Sequence, residues 1–205
     1  MSLVTNYIRF SSENPRFDFT FLYPVDWQAL ETKGKETDYD EVFILGPRNQ
    51  EDTYSLGLRV LVKPAREEGG QYTNLEEVVV DYLSKHKRLT KYREISRSHG
   101  NLAGVEATEI EVGYTMPLPL NTINPKETPI LERRIFLKKG DHFYEVIYTA
   151  AEEDYYGYLE TFRDVVRTFE FRDGITRRVY RPLILPAPVQ AIRESSTEYE
   201  ADEGE

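Results

Sequence analysis

The chain has no cysteine. That one absence excludes thiol catalysis, disulfide scaffolding and cysteine-based zinc sites, and leaves the redox compartment open. Histidine is scarce as well: His86, His99 and His142 lie in separate segments, with no H-x-x-x-H or H-E-x-x-H spacing to set two imidazoles on one helical face. No metal site is expected. Neither a G-x-S-x-G elbow nor another nucleophile context is present, so no catalytic residue is assigned. Gly69-Gly70 lacks the pattern of a phosphate cradle and reads as a turn, so no cofactor is expected. Positive charge is in deficit: 26 Lys and Arg face 36 Asp and Glu, a net charge of -10. Such a field repels phosphate backbones and anionic lipid; it argues against nucleic acid and favours a basic or calcium-bridged partner. No apolar run approaches the roughly 18 residues that span a bilayer, so no transmembrane segment is expected. The N-terminus shows no basic stretch followed by an apolar core. As written the chain reads as soluble, cytoplasmic if Met1 is native and exported if Met1-Ser2-Leu3 replaces a removed signal.

What is present describes a globular α+β chain. The 205 residues, 40% hydrophobic and 13% aromatic, suffice for one well-buried core. Val4 to Phe10 is rich in β-formers, and Phe17, Phe19, Phe21 and Tyr23 alternate with Asp18, Thr20 and Leu22, which predicts a half-buried strand ended by Pro24. Glu31 to Glu41 is charged and aperiodic and reads as an exposed loop. Its acids Asp38, Asp40 and Glu41 have oxygen ligands for calcium but lack EF-hand spacing, so a solvated cluster is expected. Val42 to Leu45 and Ser55 to Pro64 are further strands, the second with Leu56, Leu58, Val60 and Val62 on one face. The period then changes. Leu75, Val78, Val79, Tyr82, Leu83, His86 and Leu89 predict an amphipathic helix opened by a Thr73/Glu76 capping box. Tyr92 to His99, Gly104 to Tyr114 and Ile130 to Lys138 are β-like, and Lys139-Gly140-Asp141 turns the last into Phe143 to Thr149 as a hairpin. A second helix, with a Thr149/Glu152 box, runs through Tyr155, Leu159, Phe162 and Val166 to Phe169.

Two segments stand apart from this pattern. Tyr114 to Pro129 contains Met116-Pro-Leu-Pro-Leu120, whose prolines cannot donate to a central ladder. It reads either as an exposed arm or as an arm folded over its own sheet. Residues 172–205 form a C-terminal extension beside a domain over 1–171, with a basic patch, the apolar proline run that holds Leu183, Ile184 and Leu185, and an acidic end. Met116, Leu118, Leu120, Leu183, Ile184 and Leu185 are the candidate partner-binding residues. Trp27, Tyr144 and Tyr148 are candidates for an aromatic pocket on the sheet, against the plainer reading that they pack in the core.

Phe19-Thr-Phe-Leu-Tyr-Pro-Val-Asp-Trp27 resembles the strand, Tyr-Pro and Trp opening of PsbP-like proteins. The mid-chain helix, the hairpin strand Phe143 to Tyr148 and the closing Val165-Val-Arg-Thr-Phe169 resemble PsbP and Mog1-type domains over Ile8 to Phe171. That resemblance implies an antiparallel β-sheet flanked by helices, an α-β-α sandwich. It also implies relatives that are extrinsic photosystem II subunits, a small-GTPase-binding protein or bacterial proteins of unknown role. The expectation is a non-catalytic binding or accessory module of a larger protein assembly, able to form a homo-oligomer through its tail. The alternatives are a small-ligand carrier or enzyme using the aromatic pocket, and a PsbP-like photosystem II subunit.

Overall fold

Alternating aromatics build the first element of a computed structural model in which residues 6–32, 34, 39–120 and 122–172 are described. Strand β1 (Tyr7–Phe10) pairs antiparallel with β2 (Phe19–Pro24), and β10 (Glu170–Phe171) returns to the other edge of β2. Phe10, Phe19, Phe21 and Phe169 stack in this small sheet with ring centroids 5.0–6.1 Å apart.

The large sheet has seven antiparallel strands in the order β3-β4-β5-β9-β8-β7-β6. They are β3 (Gln28–Thr32), β4 (Asp40–Arg48), β5 (Ser55–Pro64), β6 (Thr90–Leu102), β7 (Val105–Leu118), β8 (Lys126–Lys139) and β9 (His142–Ala151). Because side chains alternate across a strand, β5 sends Leu56, Leu58, Val60 and Val62 to one face and Arg59, Leu61 and Lys63 to the other. The first face packs against α2 (Glu152–Thr168) and the small sheet. The opposite face packs against α1 (Leu75–His86) through Val78, Val79, Tyr82 and Leu83. The α+β sandwich expected from the sequence is therefore present, with a second, small sheet sharing one of its outer layers. The β8–β9 hairpin closes as expected, Lys139 opposite His142 across Gly140, whose φ of 55° suits the turn.

Local chemistry explains the departures. The segment read as a loop, Glu31 to Glu41, overlaps the last two residues of β3 and the first two of β4; β3 is an edge strand exposed along most of its length, so it carries no apolar period to read, and its ladder to β4 holds it. Asp40 is buried, accepting from Arg16 Nη1 and the Gly34 N–H, both at 3.0 Å, and Glu41 pairs with Arg59. These two acids are therefore engaged rather than solvated; Asp38 lies outside the described residues.

The first capping box sits one residue later than expected. Asn74 Oδ1 accepts from the Glu77 N–H at 3.0 Å while the Glu77 carboxylate accepts from the Thr73 N–H at 2.7 Å. The second box does not form. Thr149 stays in the β9 ladder between Gly57 and Glu132, and α2 starts from Ala151 without a side-chain cap. Glu152, Glu153 and Asp154 still face the positive end of its dipole.

The largest change concerns Tyr114 to Pro129, where β7 and β8 continue as a two-stranded arm. Pairing to β6 stops at Thr115 and pairing to β9 at Ile130, while Met116–Thr128, Pro117–Glu127 and Leu118–Lys126 still face each other. Pro117 and Pro129 thus occupy a stretch where the ladder has lost its outer neighbours and a missing N–H costs little.

Candidate functional site

Beneath α1 the sheet carries a buried polar layer in place of apolar residues. Glu132 and Arg134 come from β8, Glu145 from β9 and Lys63 from β5, all on the face that α1 covers. Arg134 lies 2.8 Å from Glu132 and 2.5 Å from Glu145, and Lys63 Nζ is 2.5 Å from the other Glu145 oxygen. Tyr82 of α1 donates to Glu132 at 2.9 Å, and Tyr114 of β7 to its second oxygen at 3.3 Å. The Arg134 guanidinium also stacks on the Tyr82 ring, 4.3 Å from its centroid. Burial, helped by the Glu132 charge, raises both phenols far above their ordinary range. Burial disfavours the charged forms of Arg134 and Glu145 too, but each is overcome by its partners: Glu132 and Glu145 hold Arg134 charged, and Arg134 and Lys63 hold the Glu145 carboxyl low. His86, 3.8 Å from Glu132, is pushed down by its burial. Two carboxylates and two cations balance within the layer. It fixes the seat of α1 and offers no poised acid or base.

The residues proposed for an aromatic pocket are core residues. Trp27, Tyr144 and Tyr148 are 6%, 2% and 0% exposed. Trp27 lies over Gly46, where a Cβ would stand 3.2 Å from the indole, and packs on Tyr158. The Tyr144 hydroxyl donates to Asp18 at 2.8 Å and that of Tyr148 to the Tyr155 carbonyl at 2.6 Å. All three rings are buried among core neighbours.

The partner-binding candidates separate. Leu118 is 3% exposed and packs, with half-buried Met116, into the cluster under α1; Leu120 is 58% exposed. Ile123, which the sequence analysis did not select, is 97% exposed beside it at the arm tip. Leu183, Ile184 and Leu185 lie outside the described residues.

A cavity of about 180 Å³ lies where β6, β7, β8 and the start of α2 meet. Lys91 pairs across it with Glu127 and Arg93 with Glu152, each at 2.8 Å, above Thr115, Pro129 and Ile130. None of the sequence-stipulated pocket residues lines it. Among the described residues, no three His, Cys, Asp or Glu side chains gather as a metal site.

No family model matches the chain, and no curated protein matches it. Solved structures do. LpqN of Mycobacterium tuberculosis, described as involved in cell envelope biogenesis, matches with a TM-score of 0.51 at 11% identity, over 80% of this chain and 90% of that one. Cyanobacterial PsbP of Synechocystis matches at 0.49 and 15% identity, over 80% and 92%. The Ran-binding protein Mog1p of Saccharomyces cerevisiae matches at 0.47 and 12% identity, over 82% and 96%. At these identities the likeness is one of fold. PsbP and Mog1p, which the sequence resembles, are among the structures it reaches.

Proposed function

We propose that the chain is a non-catalytic binding or accessory module of a larger protein assembly, and that it meets its protein partner through the tip of the β7–β8 arm. The observation that carries this reading is the exposure of Leu120 and Ile123 at the end of an anchored arm. Leu118 and Met116 fix its base into the core cluster, and Lys126 and Glu127 tie it to Glu51 and Lys91. An anchored base limits the ordering entropy lost on docking, so apolar side chains at the tip convert more of their burial into affinity. The net charge of -10 favours a basic rim on the partner. The apolar tail residues Leu183, Ile184 and Leu185 supply a second contact, to another copy of the chain.

A small-ligand carrier or enzyme built on Trp27, Tyr144 and Tyr148 is less supported, because packing engages all three. The test is a photo-crosslinking residue placed at Ile123 and, as control, at Val80, exposed on α1. In host cells the reading expects one discrete adduct from position 123 that Leu120→Ser abolishes. Equal labelling from both positions, or none from 123, would refute it.

A further inference from the structure

The cleft between β6, β8 and the start of α2 is shaped by departures from regular backbone. The β6–β7 register shifts between Thr90 and Arg93, and Lys91 within that irregularity has a φ of 53°, a conformation that a side chain with a Cβ seldom adopts. The irregularity directs Lys91 and Arg93 to one cleft while Tyr92 between them packs toward the α1 cluster. On β7, Gly113 supplies the room that Arg93 crosses: a Cβ there would stand 2.9 Å from Arg93 Nε. Strained or irregular backbone of this kind persists where the surrounding structure over-determines it, and such positions cluster at ligand sites.

The charges of the cleft have a particular order. Lys91 with Glu127 and Arg93 with Glu152 place two cations on the β6 side and two carboxylates opposite, all largely exposed to solvent. Their sum is zero. A simple anion entering between the cations also meets two carboxylates, and a simple cation meets the reverse. A ligand that carries both charges replaces each exposed ion pair with an equivalent charge-assisted one. Since exposed pairs contribute little individually, the exchange costs little, and the ligand's apolar part gains the edge of Pro129.

We propose that this cleft binds a small zwitterion, a free α-amino acid with an aliphatic side chain, its carboxylate held by Lys91 and Arg93 and its ammonium by Glu127 and Glu152. The site shares the Lys91–Glu127 pair with the base of the arm but does not rest on a partner at its tip. The test is a titration of the full chain, followed by amide ¹H–¹⁵N spectra, with L-leucine, sodium acetate and n-butylamine. Leucine should give saturable shifts at Arg93, Gly113 and Thr115, with a Kd about fivefold below that of either singly charged probe, the factor that one exposed ion pair supplies. Arg93→Gln and Glu152→Gln should each weaken leucine about fivefold and erase its advantage over one probe, butylamine for the first and acetate for the second. Shifts elsewhere in the spectrum report whether each variant is folded, and if one is not, the other decides. Absence of saturable shifts with leucine, equal affinity for all three probes, or unchanged leucine affinity in a folded variant would overturn the proposal.

Discussion

Replacing Arg134 by Met probes the buried layer where it is most exacting. Arg134 touches both Glu132 and Glu145, and it is itself buried. Methionine keeps much of its volume but takes the guanidinium from both carboxylates, leaving Lys63 at Glu145 and two phenols with His86 at Glu132. Breaking a buried pair from one side costs about 3–5 kcal/mol, because an uncompensated charge stays in the interior. With an m-value of about 2–3 kcal/mol/M, the urea midpoint should fall by about 1–2.5 M without a change in slope. The pH dependence gives an independent check. Glu145 has a lowered folded-state pKa, so the unfolded chain binds its proton more readily; its contribution is present above the unfolded carboxyl value and is lost as pH falls through the folded one. Arg134→Met removes the main cause of that lowering. The gap between wild type and variant should therefore be widest near neutrality and narrow below about pH 4. A loss under about 1 kcal/mol, or a gap constant from neutral to acid pH, would refute the account of the layer.

Leu118→Ser places a hydroxyl in the cluster under α1 and should lower stability by about 2–5 kcal/mol by urea unfolding, as a buried truncation does; a surface role for Leu118 would leave it unchanged. Gly57→Val brings a Cβ to within 2.7 Å of the Phe43 ring and should cost about 1–3 kcal/mol, part of which Phe43→Ala restores in the double variant; additive losses would show that the two do not meet. Truncation after Asp173 should lower the number of subunits per particle found by light scattering while the melting temperature holds, and an unchanged number of subunits would remove the tail from self-association.

The parts of the fold that were legible from sequence are those whose periodicity is set by burial. Phe17 to Tyr23, Leu56 to Val62 and Leu75 to Leu83 each carry an apolar face into the core, and each formed the kind of element its spacing predicts, although β2 starts at Phe19 and β5 also buries Leu61 on its other face. The edge strand β3 has almost no buried face, so it left no period to read. Thr149 matched a cap by composition, but the β9 ladder already held its backbone. Proline chemistry pointed away from a central ladder over Tyr114 to Pro129; the ladder in fact runs on to Thr115, and beyond it a two-stranded arm satisfies the same constraint. The buried charge layer had a visible trace: Glu132 and Arg134 break the apolar run of β8, and Glu145 stands alone among the apolar residues of β9. Only tertiary pairing shows that they meet. The cleft left none, because Lys91, Arg93, Glu127 and Glu152 come from three distant segments.

The binding role rests most directly on the arm tip, and the double variant Leu120→Ser/Ile123→Ser tests it. Both side chains are exposed and make no core contact, so the melting temperature should stay within about 2 °C of wild type. Affinity capture from the native host, quantified against wild type at equal bait, should lose the specific partner band. Retention of that band by the folded double variant would contradict the proposed function.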